Sequence, residues 1–300
     1  MLGAGRRAET ASLTAEERRR SFAALMRMVG TPPAVGAVAD AQVAGGGGPL
    51  WARIYTPAGI ACGSRAGLVY FHGGGLVAGD LDTHDALCRG LAAGSGCRVV
   101  AVGYRLAPEH PYPAAVGDAV AALADVLDRA AAFDLDPNRV GVGGDSAGAT
   151  LVTVAAGALK ERSGPRPALQ MLLCPVLDIE PGTPSRRAFA EGYLLDAELM
   201  ARDIADYAPG AADPADPRLS PLRAPDLAGM PRTLIHTAEF DPLRDEGALY
   251  AERLARAGVP VEHRCHPGMI HHFYGLTGFI PAAKAVLAEV AAGLGRALTS

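Results

Sequence analysis

The sequence lacks the features by which proteins commonly bind membranes, nucleic acids or structural metals. No apolar run reaches the roughly 20 residues that a membrane-spanning helix needs. The formal net charge is −4, and no basic segment is interleaved with aromatic residues, which argues against a nucleic-acid-binding protein. The five cysteines are an odd number without the spacing of metal ligands, so we expect free thiols in a reducing compartment. We therefore predict neither a nucleic-acid partner nor a membrane partner.

The N-terminal segment contains Arg6 and Arg7, a pair found in some export signals, but no apolar segment follows them. Instead, Thr14 and Glu17 have the spacing of a capping box, and apolar residues recur behind them at helical spacing. The sequence therefore predicts an amphipathic helix over 13–29 and a cytoplasmic protein.

Strand-like and helical segments alternate along the rest of the chain. With 300 residues, the chain is long enough for one large domain or two small ones. The alternation indicates an α/β fold with a mostly parallel sheet of about eight strands flanked by helices. The predicted strands cover 37–43, 50–55, 67–71, 98–102, 139–143, 169–173, 232–237 and 261–265. The predicted helices after the first cover 83–93, 114–131, 151–160, 196–207, 245–257 and the chain from 281.

Residues 140–150 are the most informative segment. Alternating β-branched residues predict a strand, and a helix-forming segment follows at once. Between them lie Gly144, Ser146 and Gly148 in the spacing G-x-S-x-G, which places a serine on the sharp turn between a strand and a helix. The glycines let the two elements pass closely, and the helix N-terminus stabilises negative charge. The pattern predicts that Ser146 is a nucleophile in a cleft.

A serine nucleophile needs a general base, an acid that orients this base, and donors for the oxyanion. Asp241 follows the predicted strand 232–237 and His271 follows the predicted strand 261–265, where an open α/β sheet forms its sites. The order serine, aspartate, histidine is the chain order of α/β-hydrolases. The alternative for Asp241 is a turn or capping residue ahead of the next helix.

A glycine-rich loop, H-G-G-G at 72–75, directly follows the predicted strand 67–71. Small residues bring backbone N–H groups close to a developing oxyanion, and we predict that Gly74, Gly75 and Ala147 are the donors. The alternatives are a flexible turn or a phosphate-binding loop. Nucleotide binding is disfavoured because the chain has neither a Walker lysine motif nor a G-x-G-x-x-G that opens a helix.

Together these motifs resemble the bacterial branch (family IV) of the hormone-sensitive-lipase carboxylesterases, in the α/β-hydrolase superfamily. The matching segments extend from about residue 50 to residue 275 in the family's order. They are H-G-G-G at 72–75, G-D-L-D-T-H-D at 79–85, Y-R-L-A-P-E-H-P at 104–111, G-D-S-A-G at 144–148, D-P-L-R-D at 241–245 and G-M-I-H at 268–271.

The resemblance implies a serine carboxylesterase that hydrolyses small, short-chain esters through an acyl-enzyme, without a metal or a cofactor. It implies that Ser146 is the nucleophile, His271 the general acid and base, and Asp241 the residue that fixes the histidine tautomer. Members of this family often pair through the last strand and helices, which suggests a homodimer.

The resemblance also implies a division of the chain into a core and a cap. The α/β-hydrolase core is expected over 46–180 and 231–300. The proline-rich region 181–230 interrupts the alternation of strands and helices, so we expect it to be an insertion over the sheet. Together with the N-terminal helices in 1–45, this insertion would form the cap of a single structural domain.

Three residues depart from the family's pattern. Ala149 and His272 each stand where the family has glycine, and Leu76 replaces an aromatic residue after H-G-G-G. We expect Leu76 to reshape the pocket beside the oxyanion hole. His271, and not His272, matches the position of the family's catalytic histidine. The residues assigned to substrate binding are Leu76, Asp145, Tyr193 and Leu195.

Three other functions were weighed against this one. An amide or formamide hydrolase on the same scaffold would use the same groups, and matched ester and amide substrates would separate the two. A non-catalytic binding protein would be favoured by loss of a triad member, yet all three are present. A zinc site is disfavoured because the candidate ligands lack the H-E-x-x-H spacing. These candidate ligands are His263, Cys265, His266, His271 and His272.

Overall fold

The computed structural model describes residues 13–27, 31–59, 65–180, 182–210 and 213–299. Its strands are β1 (Ala37–Val43), β2 (Leu50–Thr56), β3 (Arg65–Phe71), β4 (Arg98–Val102), β5 (Leu135–Asp145), β6 (Leu169–Leu173), β7 (Arg232–Phe240) and β8 (Val261–Ile270). They form one sheet in the order β1-β2-β4-β3-β5-β6-β7-β8. β1, β2 and β4 pair antiparallel, and all other neighbours pair parallel. The predicted eight-stranded, mostly parallel sheet is confirmed.

Helices connect these strands and cover the sheet. They are α1 (Ala15–Met26), α2 (Asp85–Ser95), α3 (Ala114–Asp128), α4 (Ala147–Leu159), α5 (Pro184–Ala188), α6 (Ala197–Tyr207), α7 (Arg244–Arg256) and α8 (Pro281–Thr299). The capping box of Thr14 and Glu17 at the start of α1 is present as predicted. The last residues predicted for this helix, 28 and 29, lie outside the described residues.

The central strands are parallel and buried because helices cover both faces of the sheet. β3 is buried at every position, as its continuous apolar sequence predicts. On one face, Leu123 of α3, Val152 of α4 and Leu254 of α7 belong to one apolar cluster. On the other face, Leu91 of α2 and Leu294 of α8 belong to a second cluster. Each of these five helices therefore buries an apolar stripe against the sheet.

Most helices and strands begin or end a few residues from their predicted bounds, and two of these differences concern the cap and the site. β1 pairs with β2 along its whole length, so residues 37–43 belong to the sheet and not to an N-terminal cap that ends at residue 45. β7 and β8 extend beyond their predicted ends, because Phe240 pairs with Ile270 after an irregularity in the register. This extension carries both strands up to the residues that follow them, Asp241 and His271.

A buried ion pair attaches the insertion to the core. Arg186 at α5 donates to Glu246 of α7 over 2.6 Å, and both side chains are buried. The second carboxylate oxygen of Glu246 accepts hydrogen bonds from the amides of Leu177 and Asp178. Because this carboxylate is satisfied on both oxygens, it holds the start of the insertion, shortly after β6, against α7.

The thiols of the described residues are free, as predicted. Cys88, Cys97 and Cys174 are buried and Cys265 is exposed, whereas Cys62 lies outside the described part of the chain. Among the described helices, none combines the length and the apolar character that a bilayer crossing requires. The cytoplasmic location stays a prediction.

Candidate active site

Ser146 occupies a strained turn between β5 and α4. Its backbone has φ +52° and ψ −122°, a conformation that non-glycine residues rarely adopt. A Cβ atom on Gly148 would overlap the carbonyl oxygens at the end of β3, and a Cβ on Gly144 would lie 2.6 Å from the carbonyl oxygen of Phe71. The two glycines of the motif are therefore required by the close approach of β3 to this turn.

The three predicted triad residues are close together. His271 Nε2 lies 3.1 Å from Ser146 Oγ, and His271 Nδ1 lies 2.8 Å from Asp241 Oδ2. The other oxygen of Asp241 accepts a hydrogen bond of 2.9 Å from the amide of Leu243. All three side chains are buried. The arrangement can pass a proton from the serine to the histidine, whose ring the aspartate orients. His272 makes neither of these contacts.

The predicted oxyanion donors surround the same serine. Gly74 and Gly75 have positive φ angles of 117° and 66°, so the loop after β3 turns back beside Ser146. Both glycines line a cavity together with Ser146 and Ala147. Ala147 is the first residue of α4, and the N–H groups of a first helical turn have no partner within the helix. These amides can stabilise negative charge that develops next to Ser146.

The cavity beside Ser146 has a volume of about 150 Å³ and mostly apolar walls. Leu76 and Leu195, assigned to substrate binding from the sequence, lie on its wall. Tyr193 does not, because its ring stacks on Phe240 and meets Phe189 edge-on in a separate aromatic cluster. Its assignment to substrate binding is therefore not supported by the geometry.

Asp145 was also assigned to substrate binding, but it is fully buried and does not line the cavity. Its carboxylate accepts hydrogen bonds from the Tyr70 hydroxyl at 2.6 Å and from the Gly73 amide at 3.0 Å, and it lies 3.4 Å from His84 Nε2. Burial alone would raise the pKa of Asp145, but the neighbouring imidazoles of His84 and His272 and the hydrogen bond from Tyr70 hold it well below its usual range. Asp145 therefore fixes the glycine loop to the turn that carries Ser146.

His272 faces the cavity beside His271. Its backbone is left-handed, with φ +62°, and its ring packs 5.3 Å from the ring of Phe22 of α1. Its buried Nδ1 has no hydrogen-bond partner within the described part of the chain and lies 3.8 Å from Asp145 Oδ2. Burial, reinforced by the neighbouring His271, lowers the pKa of His272 to about 3 although Asp145 opposes this effect. The ring is therefore neutral at physiological pH.

Three charged residues on the cavity wall were missed from the sequence, namely Arg18, Arg186 and Asp203. Arg18 of α1 forms ion pairs with Asp203 and Asp206 of α6, and both Arg18 and Asp203 line the cavity. A signal existed, because Arg18 lies four residues before Phe22 and Asp203 falls between Met200 and Tyr207 on the apolar stripe of α6. Charged residues on apolar helix stripes are candidates for a buried pair.

The candidate zinc ligands are not brought together. His263 Nε2 lies 3.0 Å from the Thr237 hydroxyl, and His266 Nε2 lies 3.0 Å from His236 Nδ1. In the described part of the chain, one group of three potential ligands lies within 4.8 Å of one another. This group consists of Cys174, Asp241 and His271. Burial and the charge of Asp241 raise the pKa of the Cys174 thiol well above its usual value, which disfavours the thiolate that a metal requires.

Known proteins that are similar to this chain are esterases of the α/β-hydrolase fold. A family model described as alpha/beta hydrolase fold matches residues 68–275. Esterase LipI of Mycobacterium tuberculosis is 43% identical over 249 residues, which are 82% of this chain and 78% of that protein. The ethyl acetate hydrolase of Pseudomonas putida is 40% identical over 230 residues, which are 76% of this chain and 72% of that protein.

A solved structure is similar over almost the whole chain. It is an ester hydrolase from the metagenome of Lake Arreo, determined in complex with a derivative of bipyridine phosphonate. The two chains superpose with a TM-score of 0.93 at 40% sequence identity, over 98% of this chain and 95% of that one.

Replacing His272 with Asn should make the folded protein less sensitive to acid. The folded state keeps His272 neutral, whereas the unfolded chain binds a proton below the ordinary histidine pKa of about 6.5. Through this group, wild-type stability falls by about 1.4 kcal/mol per pH unit as the pH drops from 6.5 towards 3. Asparagine does not titrate and tolerates left-handed backbone. Urea unfolding at several pH values between 7 and 4 should therefore show that the free energy of unfolding of His272→Asn falls less than that of the wild type as the pH is lowered.

The comparison uses the difference between the two stability curves. Asp203 and Glu246 have raised pKa values in the folded state and favour folding as the pH falls, but they are common to both proteins. His110→Asn, at an exposed histidine, controls for the substitution itself. Parallel curves for the wild type and His272→Asn would contradict the prediction.

Proposed function

The chain belongs to the α/β-hydrolase fold family, in its hormone-sensitive-lipase branch, and is a carboxylic ester hydrolase, and from this premise we propose its mechanism and substrate range. The reaction is the hydrolysis of short-chain esters through a triad of Ser146, His271 and Asp241 and an acyl-enzyme intermediate. One observation carries the proposal. The hydrogen-bonded chain of these three side chains opens on the same cavity as the glycine loop.

In the first half of the reaction, Ser146 attacks the ester carbonyl carbon. His271 Nε2 accepts the proton of the serine hydroxyl, and Asp241 stabilises the imidazolium through Nδ1. The carbonyl oxygen becomes an oxyanion that accepts hydrogen bonds from the amides of Gly74, Gly75 and Ala147. His271 then gives its proton to the leaving alcohol, and the acyl group stays on Ser146.

In the second half, a water molecule repeats these steps on the acyl-enzyme. His271 removes a proton from the water, which attacks the acyl carbon, and the same amides bind the second oxyanion. The carboxylic acid leaves as the proton returns to Ser146. Asp241 keeps the Nδ1 proton of His271 in place, so Nε2 remains the nitrogen that exchanges protons in both halves.

The size of the cavity supports a short-chain preference. A cavity of about 150 Å³ accommodates a group of the size of benzene, as engineered cavities in other proteins illustrate. The walls of α1 and α6 are mostly apolar, and they include Phe22, Leu25, Leu199 and Ile204. Acyl groups of two to eight carbons suit this space better than palmitate, because a longer chain would displace these helices.

Hydrolysis of p-nitrophenyl esters from acetate to palmitate tests the proposal. The wild type should hydrolyse the acetate-to-octanoate esters best, and Ser146→Ala should lose about 10⁴-fold or more in kcat, because the nucleophile is removed. Ser95→Ala, which changes a serine at the end of α2, is the matched control and should retain activity. An acyl-enzyme should also transfer its acyl group to added methanol and yield the methyl ester.

Activity of Ser146→Ala equal to that of the wild type would disprove the assignment of the nucleophile. A preference for palmitate would disprove the short-chain range while leaving the triad intact. The matched anilide of butyric acid tests the amide alternative, and faster cleavage of this anilide than of the ester would favour it.

Asp145→Ala should lower kcat more than it raises KM, because the loop that carries the oxyanion donors loses its anchor. We expect a loss of about 10²-fold, the size of the loss when one oxyanion donor is removed. Tyr70→Phe removes one hydrogen bond to the same carboxylate and should have a smaller effect. Steady-state kinetics with p-nitrophenyl butyrate measures both, and an unchanged kcat in Asp145→Ala would refute the anchoring role.

We also propose that two chains pair through β8. This strand is the last in the sheet order, so the backbone groups on its outer side have no partner strand within the described sheet. Light scattering should give a mass of two chains of 30.8 kDa each. A mass equal to one chain at all concentrations tested would refute the dimer.

A further inference from the structure

The cavity beside Ser146 has an upper wall, formed by α1 and α6, that is apolar except at one corner. Arg18 of α1 and Asp203 of α6 meet there in an ion pair, and both line the cavity. Arg186 also lines it, but that side chain is buried against Glu246. The corner of Arg18 and Asp203 is therefore the place where a substrate can make polar contacts away from the reacting groups.

Asp203 lies directly against the glycine loop. A Cβ atom on Gly75 would overlap the Asp203 carboxylate, and Oδ2 is the atom that it would meet first. The amide of Gly75 is one of the proposed oxyanion donors. Asp203 thus borders the space that the atoms next to the scissile carbonyl fill when an ester is bound.

The ion pair leaves polar atoms unused. Arg18 contacts Oδ1 of Asp203 and Oδ2 of Asp206 through its two terminal nitrogens. Its buried Nε has no hydrogen-bond partner among the described residues, and Arg18 contacts Asp203 through Oδ1 and not through Oδ2. Leaving the Nε atom unpaired costs free energy, and a suitable substrate group would recover it.

A purely structural role in linking α1 to α6 accounts for the presence of a carboxylate at Asp206 better than at Asp203. Asp206 is 30% exposed and does not line the cavity, whereas Asp203 is 17% exposed and does. Burial raises the pKa of Asp203 to about 7, although Arg18 opposes this rise. An apolar residue at this position would complete the wall beside Met200 and Ile204 without the desolvation of a carboxylate.

We propose that Asp203 is a specificity-determining residue that accepts a hydrogen bond from a substrate hydroxyl group close to the scissile carbonyl. The inference rests on the proposed hydrolysis of esters at Ser146. A hydroxyl group suits the corner because it can donate to Asp203 Oδ2 and accept from Arg18 Nε. An alkyl group leaves Arg18 Nε unpaired, and a carboxylate is repelled by Asp203. The substrate class is therefore short hydroxyacyl esters.

Ethyl butyrate and the two enantiomers of ethyl 3-hydroxybutyrate form a matched set, because the hydroxyl group is the difference between them. The experiment measures kcat/KM for each ester at pH 8, where the Asp203 carboxylate is mostly ionised. The wild type should prefer one hydroxy enantiomer over ethyl butyrate by about tenfold or more. In Asp203→Leu this ratio should fall to about one, and Asp203→Asn should lose most of the preference.

Asp206→Asn is the matched control, because it weakens the other ion pair of Arg18 without changing the cavity wall. It should keep the wild-type ratio, and melting temperatures should confirm that the variants are folded. A wild-type ratio near one, or equal falls in Asp203→Leu and Asp206→Asn, would overturn the inference and leave Asp203 as a link between helices. Both of these results presuppose that ethyl butyrate is cleaved, so they overturn the inference alone. If no ester is cleaved, the proposed function itself fails, and the inference fails with it.

Discussion

The buried carboxylate of Asp145 is the interaction on which the geometry of the site depends. A fully buried charge is costly unless several donors satisfy it, and here those donors come from separate parts of the chain. Tyr70 lies in β3, Gly73 in the loop that follows it, and His84 at the start of α2. Because Asp145 immediately precedes Ser146, each of these contacts also fixes the position of Ser146, the proposed nucleophile, relative to the glycine loop.

The strained turn at Ser146 is tolerated for the same reason. Parallel pairing of β3 with β5 brings Phe71 beside Gly144, and the absence of a side chain at Gly148 lets α4 start against the end of β3. The amide of Ser146 donates to the carbonyl oxygen of Leu173, at the end of the next strand, β6. The sheet therefore constrains the turn from both sides, and it holds a conformation that an isolated chain would avoid.

Much of this arrangement could be predicted from the sequence because its determinants are local. The apolar run of β3 and the G-x-S-x-G spacing around Ser146 can each be recognised within a few residues. The predicted triad follows from the chain order of serine, aspartate and histidine. The aromatic cluster of Tyr193 and the burial of Asp145 could not be predicted, since both depend on partners far away in the chain. The same holds for the contact of Arg18 with Asp203, whose residues are 185 positions apart. Secondary structure limits the direction of a side chain, but its distant contacts depend on tertiary packing, which residue type and spacing do not specify.

In the proposed function, the sheet carries the reacting groups, and the helices beyond it determine which substrate fits. Ser146, Asp241 and His271 stand at the ends of paired strands, where backbone hydrogen bonds hold them within the narrow limits that proton transfer needs. The upper wall comes from α1 and α6, two helices that lie outside the sheet and meet through the ion pairs of Arg18. Changes in these helices alter the shape and polarity of the wall without disturbing the strand ends. A fold of this kind can keep one reaction mechanism while its cap selects different esters.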